Sequence, residues 1–185
     1  MQSNKIQVFS NLKKKSKKSQ ILEQLGAKDS SNTLVSDIAP ENYLAIVFDN
    51  SGSMYTTSPY PGESGTNFNM AQRGVTEFLR NCTKGKDSVK IVPMNPDTHI
   101  NSTSTQDLVD LANRVMAMSG PFGLTPMNKS ILTALHGKTT RVIVFTDGAS
   151  TDGHCEKAIA EAIERKVPID TIFFDAEDEY TAFLS

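Results

Sequence analysis

Asp49-Asn50-Ser51-Gly52-Ser53 places a carboxylate and two hydroxyls at i, i+2 and i+4. The segment follows directly on an apolar run, Leu44-Ala45-Ile46-Val47-Phe48, so the three oxygens fall where a buried strand should end. Three hard oxygen donors on one short turn suit a small hard cation such as Mg²⁺. Two other segments are built to meet them. Val142-Ile143-Val144-Phe145 is an apolar run that leads into Thr146-Asp147-Gly148, which puts a second carboxylate at the same end of a sheet as Asp49. Gly120-Pro121-Phe122-Gly123-Leu124-Thr125-Pro126 is a loop that delivers a hydroxyl at a helix start. The set is then two carboxylates (Asp49, Asp147) and three hydroxyls (Ser51, Ser53, Thr125). An all-oxygen donor set favours Mg²⁺ or Mn²⁺ over zinc. Each piece alone has an ordinary explanation, because Asp and Ser favour turns, Thr caps helices and Asp-Gly closes strands. Their order along one sheet edge is what points to a site.

The elements that must position these residues alternate. Short apolar runs at Tyr43–Phe48, Val89–Pro93, Val142–Thr146 and Ile169–Phe174 predict strands, with a weaker one near Thr98–Asn101. Between them lie amphipathic stretches at 3.6-residue spacing. Phe68, Ala71, Val75, Phe78, Leu79 and Cys82 form one stripe; Leu108, Leu111, Ala112, Val115 and Met118 form a second, with Ser104 and Asp107 at capping-box spacing before it. Thr125-Pro126 opens a third helix as N-cap and first residue, continued by Met127, Ile131 and Leu135. Cys155, Ala158, Ile159, Ala162 and Ile163 predict a fourth, with Asp152 as its cap. The pattern is α/β: a doubly wound, mostly parallel sheet covered by helices on both faces. In such sheets ligands bind at the carboxyl ends of strands, where the strand order reverses.

Asp-x-Ser-x-Ser after a first strand, a Thr in a Gly-rich loop and Thr-Asp-Gly ending a later strand resemble the metal-ion-dependent adhesion site of von Willebrand factor A-type domains. The resemblance covers roughly Asn42 to Asp178, and Met54 after the second Ser is a frequent companion in the family. It implies a Rossmann-like fold and a non-enzymatic role. It also implies that Ser51 and Ser53 bind the metal directly, that Thr125 does so directly or through water, and that Asp49 and Asp147 act mainly through water and by orienting the serines. So few charges near the cation would leave it an open position for an Asp or Glu of a protein partner. Intracellular members often serve multiprotein complexes, so an adaptor or assembly factor is expected. The chain departs from the family at its end. Glu177–Ser185 can supply only the start of a further helix, and the usual last edge strand is expected to be missing.

The 185 residues suffice for one domain with a substantial core. Charge is unevenly spread. Residues 1–28 hold seven Lys against one acid, Glu23, a charge of +6, while the rest carries twelve basic and twenty acidic side chains, a charge of −8. This predicts a basic arm and linker over residues 1–41, with a short helix at Gln20–Leu25, and an acidic domain over 42–185. No run approaches the length of a membrane span and no secretory signal is legible. The two cysteines, Cys82 and Cys155, read as small buried hydrophobes inside helices, which favours a reducing cytosol. The Tyr55–Asn67 link is long, and Tyr55 and Tyr60 would ring the metal in either a partner-contacting loop or a solvated insertion. Phe122 reads equally as an exposed contact or an inward one. His154 lies near the same edge and reads as a surface residue or a general base; His99 and His136 have no evident role.

Two other function classes compete. A Mg²⁺-dependent hydrolase or phosphotransferase would use Asp49 as nucleophile, but Ser51 stands where a second acid is wanted and no Gly-rich Lys-Ser/Thr phosphate loop is present. A nucleic-acid-associated protein would use the Lys13–Lys18 cluster, yet no aromatic residue interleaves those lysines.

Overall fold

The computed structural model describes residues 39–57, 65–82, 85–148 and 150–174. The basic arm, the Gln20–Leu25 helix, most of the linker, Tyr60 and the segment 177–185 lie outside the described residues.

Four strands appear where apolar runs predict them: β1 (Asn42–Phe48), β2 (Asp87–Pro93), β3 (Arg141–Thr146) and β4 (Ile169–Phe173). They form one sheet in the order β2-β1-β3-β4, and every pairing is parallel. The chain moves from β1 to β2 on one side, then crosses to β3 on the other. The order therefore reverses between β1 and β3, and Phe48 pairs with Phe145 in register there. That register brings Asp49 opposite Thr146, with Asp147 the next residue at the same edge.

Period-2 alternation along the strands splits the core in two. Ile46, Phe48, Ile91, Ile143 and Phe145 point to one face, where they meet α1 (Asn67–Asn81) and α2 (Leu108–Met116). Ala45, Val47, Val92, Val142 and Val144 point to the other, against α3 (Met127–Leu135) and α4 (Glu156–Arg165). Both faces are covered, which is why the strands read as continuous apolar runs. Fully buried side chains such as Phe48, Ile46 and Leu135 each contribute on the order of 1.5–3 kcal/mol. Within β2 the polar residues Asp87, Ser88 and Lys90 are also buried. Lys90 Nζ donates to the carbonyls of Thr133 and His136 at 3.3 and 2.8 Å, closing the carboxyl end of α3.

The local corrections have physical causes. Thr98–Asn101 is not a strand: it offers one apolar residue, Ile100, which is buried in the core from irregular backbone. Beside β2 an isolated bridge joins Val89 to Thr105. Helix α2 is capped by Asp107, whose carboxylate accepts from Asp110 N at 3.0 Å, and the expected box at Ser104 does not form. Thr66 caps α1 reciprocally with Asn69. The cysteines flank helices: Cys82 follows α1 and Cys155 precedes α4. Both are half-buried free thiols and not core residues.

Candidate metal centre

The turn after β1 is organised from its first residue. Asp49 is fully buried, and each carboxylate oxygen has a donor. Oδ1 accepts from Ser51 N at 2.8 Å, which folds the turn back on itself. Oδ2 accepts from Thr146 Oγ1 at 2.6 Å, across from the end of β3. The hydroxyls of Ser51 and Ser53 lie 3.0 Å apart and share one hydrogen bond. Ser53 Oγ then donates to Asp147 Oδ1 at 2.8 Å. Thr146, Asp49, Ser51, Ser53 and Asp147 thus form a connected polar chain across the gap between β1 and β3. A short 3₁₀ turn, Gly52–Tyr55, carries Ser53, and the buried Met54 anchors it in the core.

Thr125 arrives on the predicted loop. Phe122 N donates to Asn50 O at 2.8 Å and Gly52 N to Gly123 O at 3.1 Å, so the loop is laced to the Asp49–Ser53 turn. Thr125 is buried, and its backbone is held by Thr151 through Thr125 N to Thr151 Oγ1 at 3.0 Å and Thr151 N to Thr125 O at 2.8 Å. The capping explanation for its hydroxyl fails. Helix α3 opens after Pro126 with no cap from its own N-terminal side chain. Asp152 takes that role instead, accepting from Asn128 N at 3.0 Å and Lys129 N at 2.8 Å. Asp152 therefore caps the third helix and not the fourth, and the Thr125 hydroxyl is left for other use.

Several residues of the site were not singled out by the sequence. Thr146 holds Asp49. Asn67, the first residue of α1, donates to Asp147 Oδ2 at 3.4 Å, while its own Oδ1 is buried without a partner. Asn50 and Asn95 exchange two bonds, Asn50 Nδ2 to Asn95 O at 3.0 Å and Asn95 N to Asn50 Oδ1 at 2.8 Å. Asn95 Nδ2 also holds Leu124 O at 2.8 Å. A usable signal existed for Asn95, which lies just past β2 at the same sheet edge. His154 is exposed, as a surface residue should be.

The electrostatics suit a cation. Burial pushes the Asp147 carboxyl above its ordinary range and the Asp49 charge adds to this, against the opposing hydrogen bonds from Ser53 and Asn67. Among the described residues no ion pair reaches either carboxylate. No cluster of three or more His, Cys, Asp or Glu occurs among them either, so any metal here would rest on hydroxyls as well as carboxylates. Two neighbouring carboxylates without a basic partner, hydroxyl oxygens between them and a buried orphan acceptor in Asn67 together fit a small divalent ion. The oxygen-only set excludes the nitrogen and sulfur ligands that zinc prefers.

Fold and edge together define a class, a doubly wound α/β domain with a polar site at its topological switch point. The profile of the von Willebrand factor type A domain matches residues 44–150, and the chain belongs to that family. Domains of this family are generally protein-interaction modules, and many bind a divalent metal. No curated protein matches significantly. Among solved structures the chain is similar to an aerotolerance-related membrane protein from Bacteroides fragilis, at 16% identity and TM-score 0.59, over 74% of this chain and 69% of that one. It is also similar to proximal thread matrix protein 1 from the mussel byssus, at 17% identity and TM-score 0.55, over 74% of this chain and 38% of that one. A third is the manganese-loaded TRAP protein of Plasmodium vivax, at 15% identity and TM-score 0.52, over 76% of this chain and 60% of that one. The chain spans less than two thirds of the last two. At these identities the likeness is one of fold. Among the described residues no helix is long and apolar enough to cross a membrane.

Proposed function

We propose that the chain is a cation-dependent protein-interaction module, working in a reducing cytosol as an adaptor or assembly factor. The observation that carries this reading is the polar chain Thr146–Asp49–Ser51–Ser53–Asp147 at the switch point. Ser51, Ser53 and Thr125 would hold Mg²⁺, or Mn²⁺ in its place, and Asp49 and Asp147 would fix the serine hydroxyls and balance the charge. When bound, the cation supplies a Lewis-acidic position that an Asp or Glu of a partner can fill. The manganese in the similar TRAP structure is consistent with such an ion. The role is binding and not turnover: the site pairs its two carboxylates through serines, and no acid–base couple accompanies them.

Titrating Mn²⁺ into the native chain, by calorimetry or by the electron-spin signal of free Mn²⁺, should show one site. Asp49→Ala should lose it. A pull-down from the native source in parallel with Mg²⁺ and with EDTA should retain the partner only with Mg²⁺. Partner binding that persists unchanged in EDTA sinks the metal-bridged reading. Mg²⁺-dependent phosphatase turnover that disappears in Asp49→Asn would replace it with the enzymatic one.

A further inference from the structure

Two segments that build the site are uncharged. Residues 50–57 and 119–126 contain no Asp, Glu, Lys, Arg or His. They nonetheless expose three large apolar side chains: Tyr55 at 72%, Leu124 at 69% and Phe122 at 44%. Single exposed apolar residues are ordinary, but convergence around one polar centre is not. Tyr55 sits two residues beyond Ser53 on the 3₁₀ turn, and its neighbour Met54 is fully buried, so the turn is anchored with Tyr55 turned out. Phe122 and Leu124 flank Gly123, whose carbonyl accepts from Gly52 N at 3.1 Å. The Leu124 carbonyl is pinned by Asn95 at 2.8 Å, and the next residue, Thr125, is buried. The apolar side chains are thus held outward by rigid backbone contacts, so little ordering cost remains on binding.

We infer that the partner's metal-binding Asp or Glu is flanked by large apolar side chains. This rests on the metal-bridged reading above and goes beyond it by specifying the neighbours of that carboxylate. Neither segment carries a charge of its own; Asp97, which accepts from Ser119 N at 2.9 Å, and Asp152, at the start of α3, lie at their outer ends. Among the described residues, the charges within the polar chain itself are the Asp49 and Asp147 carboxylates. Recognition is therefore one charged contact through the metal, ringed by apolar burial against Tyr55, Phe122 and Leu124. Residues that ring a desolvated contact and exclude water strengthen it in this way.

The test is to pan a random heptapeptide phage library on the full chain in Mg²⁺, eluting with EDTA. The expected yield is peptides with Asp or Glu and at least one Leu, Ile, Phe, Tyr or Trp within two positions. A synthetic peptide of that pattern should bind Tyr55→Ser and Leu124→Ser about tenfold or more weakly than the native chain. Both variants should bind Mn²⁺ as the native chain does, because neither residue is in the metal set. EDTA-eluted peptides whose acid is flanked by Lys, Arg or polar residues overturn the inference and leave the metal reading standing. So does unchanged peptide affinity in both variants. Absence of Mn²⁺ binding by the native chain, or of any EDTA-eluted peptide, overturns the metal reading and the inference with it.

Discussion

Gly123→Ala should loosen the loop that carries Thr125, and the structure sets how much. Gly123 has φ +78°, where a Cβ is disfavoured; a non-glycine residue there costs roughly 1–2 kcal/mol. The new Cβ would also stand 2.5 Å from Asn95 Oδ1 and 2.9 Å from Asn95 Cγ. Asn95 cannot yield without cost, because its backbone is tied to Asn50 by two bonds and its side chain donates to Leu124 O. Rotating that side chain away gives up the Leu124 bond, about 0.5–1.5 kcal/mol. The total is about 1.5–3.5 kcal/mol, and for a chain of this size that is a fall in melting temperature of about 3–14 °C.

Urea unfolding of the full chain at neutral pH measures the loss, and a double-mutant cycle with Asn95→Ala separates its parts. With Asn95 truncated, the clash is relieved and the Leu124 bond is already gone. Gly123→Ala should then cost only its backbone conformation, about 1–2 kcal/mol, which leaves a coupling of about 1 kcal/mol. A loss below about 0.5 kcal/mol for the single variant, or strictly additive losses in the cycle, would refute the claim that the Asn95 contact holds this loop.

Two further outcomes follow from groups outside the centre. Asp152→Ala removes the borrowed cap of α3 and should cost about 0.5–2 kcal/mol in urea unfolding. Slight burial raises the Asp152 carboxyl, but hydrogen bonds from Ser150, Lys129 and Asn128 outweigh it and hold it below its ordinary range. A lowered carboxyl stabilises the fold above its unfolded-state pKa and loses that effect as pH falls through the folded value. The gap between native and Asp152→Ala should therefore be full at neutral pH and close in acid; a gap constant down to pH 2 would count against it. Cys82 should alkylate slowly. Burial, with the Asp87 charge second, pushes its thiol from 9.0 up to about 11. At pH 8 that shift lowers the thiolate fraction about a hundredfold. Iodoacetamide labelling in a Cys155→Ser background should show a rate that still climbs tenfold per pH unit at pH 9–10; a plateau near pH 9 would contradict the shift.

What the sequence made legible follows from which interactions are local. The strands could be read because burial on both faces leaves no polar position in the run, as in Ala45–Phe48 and Val142–Phe145. Once those ends were fixed, Asp49 and Asp147 had to emerge at one edge of a parallel sheet, so the centre could be assembled before its geometry was known. The misreadings share the opposite cause. A helix N-terminus accepts any nearby oxygen, and α3 takes its cap from Asp152, 24 residues away from Asn128. Local spacing therefore assigned that role wrongly to Thr125 and the wrong helix to Asp152. Asn50 occupied a variable place in the Asp-x-Ser-x-Ser pattern, and nothing local marked it as the buried half of a mutual pair with Asn95, 45 residues on.

These long-range contacts change how the site is understood. The Asp49–Ser53 turn does not stand alone after β1. It is braced by Thr146 from β3, by Asn95 from the end of β2 and by Gly123 from the Thr125 loop, so both the β1-to-β2 and the β2-to-β3 crossovers must close before the hydroxyls take their places. A single fully buried carboxylate, Asp49, links Thr146 to the turn through its two oxygens. Replacing it removes the hydrogen-bond acceptor for Ser51 N and leaves the Thr146 hydroxyl only its longer contacts with Gly148, at 3.3 and 3.5 Å, in the same step. Loss of cation binding in Asp49→Ala therefore has two possible origins, a missing charge and a relaxed turn. Asp49→Asn distinguishes them. It keeps an acceptor for Ser51 N and nearly the same shape while removing the charge, so cation binding lost in both variants with near-native stability in the amide variant assigns the effect to charge.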